Sequence, residues 1–381
     1  MRYATIMAGG AGTRLWPVSR KDRPKQLIQF IQRSGDTAPK SLLELADRRL
    51  NGLIDPKNRT ICTSEAYRGM IREQLPAYSP AQVIGEPAAR DTVNAVGLAA
   101  AVLAKQDKDA IFAILTGDHV IEPEQTFRDR MEMGFRLVEN DPRRFVTFSI
   151  KPTYAATGFG YVERGTPVRD SGKVKIEGEK DGCYQVARFV EKPDLARAQA
   201  YVQSGDFGWN SGMFVWKATT FLEALAAFKP ESHAGLMKIQ DAWGTKNQVS
   251  VLNEVYPTLP KISVDYAVLE PASKEGGAGG KNRFSVCTVS MDLNWLDVGS
   301  WPSFADTVNA DKQGNRVSGE GSGLVVGGKN NLVVAGKGHT VAVLGMDDVI
   351  VVHTPDATLV MPKSKAEELK TLHGLVADPL K

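Results

Sequence analysis

Tyr3-Ala4-Thr5-Ile6-Met7-Ala8-Gly9-Gly10-Ala11-Gly12-Thr13-Arg14-Leu15-Trp16-Pro17 is the stretch that decides the fold. The apolar run Tyr3–Met7 predicts a strand, and it empties directly into glycines. Such a turn lets successive backbone N–H groups face inward as an anion nest, with no side chain in the way of a phosphate. It is neither a dinucleotide fingerprint, which needs a glycine where Leu15 stands, nor a P-loop, which needs Gly-Lys-Ser/Thr. Downstream, Arg14, Arg20, Lys21, Arg23 and Lys25 face only Asp22 in a loop-like segment, a cluster of the size a triphosphate requires. The competing reading is a surface turn with scattered basic residues. The coincidence of strand, nest, Arg14 and Arg23-Pro24-Lys25-Gln26 favours phosphate binding.

Working outward, short β-branched runs alternate with helical patterns, which predicts an α/β fold of βαβ units around a mostly parallel sheet. The strands are read at Tyr3–Met7, Arg59–Thr63, Ala81–Ile84, Ala110–Leu115 and Phe145–Ile150, and the helices at Thr92–Lys105 and Glu124–Val138. Ala272–Gly280 reads as a loop inside the first domain. Beyond Gly314 glycines crowd the chain and helical periodicity stops, so a small β-rich domain is expected. Val326, Leu332, Leu344 and Ile350 stand at multiples of six, the hexapeptide spacing of a β-helix, although Gly338 breaks the series; a β-meander fits as well. Domain limits of 1–308 and 309–381 follow, with a closing helix over Ser364–Leu372. Gly323–Asn330 nearly spells a Walker A loop, but Asn330 replaces the required hydroxyl and no helix follows, so it reads as a β-turn.

The chain has 381 residues with a formal net charge of +3, so no overall field draws it to nucleic acid or a membrane surface. The longest apolar stretch, near Ala95–Ala104, is far short of the roughly 20 residues that cross a bilayer. Tyr3–Ala8 is too short for the apolar region of a signal peptide. Cys62, Cys183 and Cys287 are widely separated with no C-x-x-C pair, which argues against a disulfide framework or a zinc site and points to a reducing cytoplasm.

Asp118 follows the buried run Ala110–Leu115 in Thr116-Gly117-Asp118-His119, where open α/β sheets place ligands. Asp297 lies in Asn294-Trp295-Leu296-Asp297-Val298-Gly299-Ser300-Trp301, where aromatics can fix the carboxylate. Either alone reads as a turn or capping residue; together with phosphate oxygens they make a typical Mg2+ site. His119 is read as a structural hydrogen-bonding group in preference to a general base. No Gly-x-Ser-x-Gly elbow or Cys/His pairing offers a nucleophile.

Gly9–Gln26, Phe189-Val190-Glu191-Lys192-Pro193, Trp209-Asn210-Ser211-Gly212-Met213-Phe214 and Trp295–Trp301 together resemble the sugar-1-phosphate nucleotidyltransferases, and most closely their guanylyltransferase branch. The signature G-G-x-G-T-R-L-W-P-x-S-R followed by P-K-Q is matched without a gap. The resemblance implies a Rossmann-like mixed-sheet domain followed by a small left-handed β-helix, and transfer of GMP from GTP to α-mannose 1-phosphate, giving GDP-mannose and pyrophosphate. It implies that Gly9, Gly10, Gly12, Thr13 and Arg14 hold the triphosphate and that Lys25 adds charge at the reacting α-phosphate. Glu86, Arg90 and Thr92 would read guanine, and Asp118 and Asp297 would bind Mg2+. Glu191, Lys192, Asn210 and Gly158 would hold the sugar phosphate, with Asp265 in a further motif. Asp91, Val93 and Ala156 depart from the family pattern. Glu191-Lys192 could equally be a surface ion pair, and two of Trp209, Phe214 and Trp216 are expected to be core. The chain stops short of the isomerase domain of the long bifunctional members, so transferase activity alone is expected, and a homodimer is allowed. Alternatives are another nucleotide or sugar, or a silent homologue that binds nucleotide sugar and regulates a partner.

Overall fold

In the computed structural model residues 1–33, 36–170, 175–275 and 283–381 are described. The chain forms two compact units, one made of residues 1–9, 49–116 and 122–294, the other of residues 10–48, 117–121 and 295–381.

The first unit is built on a nine-stranded sheet. Its order is Val83–Glu86, Arg59–Ser64, Arg2–Met7, Ile111–Thr116, Phe207–Lys217, Arg144–Ile150, Ser285–Met291, Cys183–Val190 and Tyr161–Pro167. The first four strands run parallel. Phe207–Lys217 then enters antiparallel to all three strands it pairs with, Ile111–Thr116, Arg144–Ile150 and Tyr161–Pro167, and of the remaining pairs only Arg144–Ile150 with Ser285–Met291 is parallel. The sheet is therefore mixed, as the resemblance implied, and not mostly parallel as the alternation of strands and helices alone suggested. Single-chain periodicity reports burial on both faces, and a buried antiparallel strand gives the same run as a parallel one. Arg144–Ile150 shows this, being buried at every position.

The helix Asp91–Gln106 buries Val93 through Ala104 almost without interruption. Glu124–Asn140 instead buries a stripe of Phe127, Met131, Phe135 and Val138, which is the period of an amphipathic helix. The strand expected at Ala81–Ile84 begins at Val83, because Ser79 caps a short 3-10 turn over Pro80–Gln82. The loop expected over Ala272–Gly280 is corrected in its first part, since Glu270–Glu275 is helical; residues 276–280 lie outside the described residues. Trp209, Phe214 and Trp216 are all buried, at 3%, 2% and 0% exposure, so all three are core. Cys62, Cys183 and Cys287 are free and buried. Among the described residues no helix is long and apolar enough to cross a membrane.

The second unit gathers segments far apart in sequence around one core of Leu15, Trp16, Leu42, Trp301, Leu332 and Ile350. Its C-terminal part is a β-helix-like coil. Arg316–Ser318, Leu332–Val334 and Val349–His353 stack in parallel, as do Ser322–Val326 and Thr340–Leu344. Leu332 aligns with Ile350 and Ser322 with Thr340, each eighteen residues on, or three hexapeptides. Leu332 and Ile350 point inward as the spacing predicted, whereas Val326 and Leu344 are 48% and 77% exposed. On that second face the pleat turns Val325 and Val343 inward instead. The Walker-like Gly323–Asn330, expected as a β-turn, is strand as far as Val326 and an irregular bend from Gly327 on. The closing segment is a 3-10 stretch, Lys363–Glu368, leading into the α-helix Leu369–Leu375.

Candidate active site

The glycine turn leaves the strand Arg2–Met7 with Gly9, Gly10 and Ala11 exposed, which keeps their backbone accessible. Gly12 has φ +69° and starts a 3-10 turn over Thr13–Leu15, with Leu15 N–H donating to the Gly12 carbonyl at 2.8 Å. A side chain there is excluded twice over, because a Cβ at Gly12 would lie 2.5 Å from Lys25 Cβ and 2.9 Å from Ser19 Oγ. The turn thus lies against the stem of Lys25, which is buried to 9% exposure.

Lys25 Nζ is 2.7 Å from Asp118 Oδ2 and 3.4 Å from the Val298 carbonyl oxygen. Asp118 and Asp297 are brought together because His119–Glu122 and Asn294–Asp297 pair as a two-stranded sheet, with Val298 N–H donating to the Asp118 carbonyl. Ligand atoms of Asp118, His119 and Asp297 lie within 4.8 Å of one another, a potential metal-binding cluster. Burial pushes the Asp118 carboxyl up, but the charge and hydrogen bond of the Lys25 ammonium offset it and hold it below the ordinary range, ready to carry negative charge.

The five basic residues of the signature do not all serve one anion. Arg20 Nε donates to the Pro17 carbonyl at 2.7 Å, and its guanidinium also meets Leu380 O and Asp356. Lys21 Nζ is 3.9 Å from Asp378. Trp16 Nε1–H donates to Leu380 O at 2.8 Å and Trp301 Nε1–H to Trp16 O at 2.9 Å, so the signature tryptophan is a clasp within this unit. Arg14 is half-exposed and makes a two-pronged pair with Glu367, both contacts at 3.0 Å.

In the other unit, Glu86 ends the edge strand Val83–Glu86 and accepts a 2.5 Å hydrogen bond from Tyr256 Oη. Burial pushes its carboxyl up, with the Tyr256 hydroxyl and Cys62 thiol partly offsetting this. Arg90 caps the helix Asp91–Gln106, and Thr92 Oγ1 accepts the Val264 N–H at 2.9 Å. Asn210 is fixed at both ends of its amide: Oδ1 accepts from Thr147 Oγ1 at 2.7 Å and Nδ2 donates to Asp265 Oδ1 at 3.0 Å. Asp265, in a π-helical turn over Asp265–Leu269, is pushed up to about 7 by burial and by the charge of Glu191. Lys192 has φ +44° and its Nζ is 2.7 Å from Glu191 Oε1. A Cβ at Gly160 would lie 2.6 Å from Glu191 Oε2, whereas one at Gly158 would meet nothing within 4 Å. Thr147 and Tyr256 went unnoticed in the sequence and had no local signal there. Gly160, the last glycine of Gly158-Phe159-Gly160, was given no role, and Trp295, expected as one of the aromatics fixing Asp297, donates its Nε1–H to His119 Nδ1.

The nucleotidyl transferase family model matches residues 3–314, and a mannose-phosphate isomerase/GMP-like β-helix domain model matches residues 323–373. The mannose-1-phosphate guanylyltransferase of Klebsiella pneumoniae is 34% identical over 373 residues, covering 97% of this chain and 73% of that one. The chain belongs to the mannose-1-phosphate guanylyltransferase branch of the sugar-1-phosphate nucleotidyltransferase family. The guanylyltransferase of Escherichia coli K12 is 35% identical over 97% of this chain and 72% of its own. The crystal structure of mannose-1-phosphate geranyltransferase from Thermus thermophilus superposes with a TM-score of 0.81 at 28% identity, covering 98% of both chains. The chain is therefore an enzyme of the nucleotidyltransferase family, with a separate β-rich C-terminal part.

Proposed function

We propose that this enzyme transfers GMP from GTP to α-mannose 1-phosphate, releasing GDP-mannose and pyrophosphate, with residues 1–308 as the catalytic domain and 309–381 as the β-helix-like one. The observation that carries this reading is the buried Lys25, whose stem packs against the glycine turn at Gly12 and whose ammonium is 2.7 Å from Asp118. A fixed cation, a pair of carboxylates and an exposed glycine turn are the groups that binding a triphosphate calls for, and they support this reading.

A phosphate monoester has a second pKa of about 6, so the attacking oxygen is already ionised near neutrality and needs no general base. The chain's residues then have to bind, align and neutralise. The backbone of Gly9, Gly10, Gly12 and Thr13 would cradle the triphosphate. Arg14 would exchange Glu367 for phosphate oxygens, and Lys25 would hold the α-phosphate. Glu86, Arg90 and Thr92 would read the guanine edge, with Tyr256 fixing the Glu86 carboxylate. Lys192 would meet the sugar phosphate, with Glu191, Asn210 and the Gly158–Gly160 backbone on the hexose. The donor set of Asp118 and Asp297, two hard carboxylates, fits Mg2+, which keeps few protein ligands. Bound there, the ion would supply positive charge to the phosphate oxygens.

The test is to mix purified enzyme with Mg2+, mannose 1-phosphate and each of four nucleoside triphosphates, following pyrophosphate release and nucleotide-sugar formation. GDP-mannose formed fastest with GTP is the expected result; turnover led by another nucleotide, or tight GDP-mannose binding without turnover, overturns the assignment. Lys25→Ala is expected to lower kcat by about 100- to 1,000-fold, the usual loss of one preorganised donor, with a smaller effect on the KM for mannose 1-phosphate. Normal turnover by that variant removes Lys25 from the reaction.

A further inference from the structure

The three groups of the metal cluster do not have equal access to an ion. Trp295 Nε1 is 3.0 Å from His119 Nδ1, with the rings nearly perpendicular at 79° and their centroids 4.9 Å apart. An indole nitrogen can only donate, so His119 Nδ1 must accept, and the proton of the neutral ring is on Nε2. His119 Nε2 faces Asp118 Oδ1 at 3.6 Å and Asp297 Oδ1 at 4.0 Å. Asp118 Oδ2, meanwhile, is engaged by Lys25. His119 is 6% exposed, so the ring has little freedom to turn away. A histidine that ligates a metal through one nitrogen almost always donates its other N–H to an acceptor. Here the other nitrogen faces a donor, the reverse of what ligation requires.

We propose that His119 is a positioning residue and not a ligand: Trp295 locks it in the Nε2–H form, and that N–H, directed at Asp118 and Asp297, steadies the two carboxylates as an all-oxygen site selective for Mg2+ or Mn2+ over Zn2+. The inference deepens the metal reading above and depends on it. Two carboxylates this close repel one another, and the N–H dipole eases that repulsion until an ion arrives. Carboxylate and water suit Mg2+ and Mn2+, whereas an available imidazole nitrogen favours Zn2+. Withholding that nitrogen therefore sets metal choice without adding a ligand.

The probe is Mn2+ in pulsed electron paramagnetic resonance, with inorganic pyrophosphate present to supply nitrogen-free oxygen ligands. Wild-type enzyme is expected to show no directly coordinated 14N. Trp295→Phe, which frees Nδ1 to carry the proton, is expected to gain that coupling and to tighten Zn2+ binding by about tenfold or more. A coordinated nitrogen in the wild type, or an unchanged spectrum in Trp295→Phe, overturns the proposal. His119→Ala is expected to weaken Mn2+ binding by about 10- to 100-fold, and His119→Gln, which keeps an N–H donor, to recover most of it; equal losses overturn the positioning role. Nitrogen-15 NMR of the metal-free wild type requires no variant to fold, and must show the Nε2–H tautomer. Asp118→Asn is expected to abolish the Mn2+ signal. A signal that survives it, or no Mn2+ uptake by the wild type, shows that the metal reading itself has failed and takes this proposal with it, whereas the outcomes above leave that reading standing.

Discussion

Gly12→Ala separates the two reasons for glycine in the phosphate turn. The first is conformational: φ at Gly12 is +69°, and an L-residue there costs roughly 1–2 kcal/mol. The second is steric, because the new Cβ would lie 2.5 Å from Lys25 Cβ and 2.8 Å from its Cγ. Since the nearer atom is a Cβ, no rotamer of Lys25 relieves the contact, and the backbone of the turn or of Lys25–Leu27 must shift. Overpacking of this kind costs a further 1–3 kcal/mol or so, giving about 2–5 kcal/mol in total. Gly338→Ala isolates the first term: its φ is +76°, it lies in the same unit, and a Cβ there meets nothing within 4 Å. That variant is expected to lose only about 1–2 kcal/mol. Urea unfolding of both variants measures the difference, and turnover with GTP, mannose 1-phosphate and Mg2+ measures its consequence, since moving Lys25 breaks its 2.7 Å pair with Asp118. Gly338→Ala should keep wild-type turnover and Gly12→Ala should lose most of it. Equal stability losses, or full activity in Gly12→Ala, refute the packing of Lys25 beneath the turn.

Asp265 provides a pH dependence. Its folded pKa is about 7, against roughly 3.9 unfolded, so the folded chain binds the extra proton between those values and stability falls as pH rises through that window. The full linkage is about 4 kcal/mol, and partial exposure beside Lys192 reduces it to about 2 kcal/mol. Asp265→Asn keeps an acceptor for Asn210 and should lack this decline, so the gap in urea midpoint between variant and wild type should be smallest near about pH 4, widen through about pH 5–7 and level off by about pH 8; parallel pH responses count against the raised pKa. Tyr256→Phe leaves the Glu86 carboxyl without its 2.5 Å donor and should cost about 1–3 kcal/mol of stability. If Glu86 reads guanine, the preference for GTP over ATP falls with it, and an unchanged nucleotide preference separates Glu86 from base recognition.

Local chemistry made much of the enzyme legible. The strand Arg2–Met7 and helices Asp91–Gln106 and Glu124–Asn140 lie within a few residues of their sequence reading, because burial periodicity and glycine punctuation act over short spans. Aliphatic spacing offered a hexapeptide period alongside a β-meander; the structure made it a coil with an eighteen-residue repeat, and added a one-residue offset on the second face that the spacing did not show, since a pleated strand exchanges inside and outside at every step. The sheet's switch to antiparallel pairing at Phe207–Lys217 left no trace in the burial periodicity and was implied only by the family resemblance, as a strand buried on both faces looks the same whichever way its neighbours run.

By itself the sequence determined the glycine turn, the presence of Lys25, Asp118 and Asp297, and the alternation of strand and helix. Tertiary structure decided how those groups are used. Lys25 meets Val298 across 273 residues, Trp295 meets His119 across 176, and Tyr256 meets Glu86 across 170. Arg20, as basic as Lys25 in the chain, is instead spent on Leu380 and Asp356. The physical reason is that a side chain's charge, tautomer and reach are set by whatever is packed against it. Those neighbours are brought close by closing very long loops, whose cost is repaid by a whole core and not by any residue near the site.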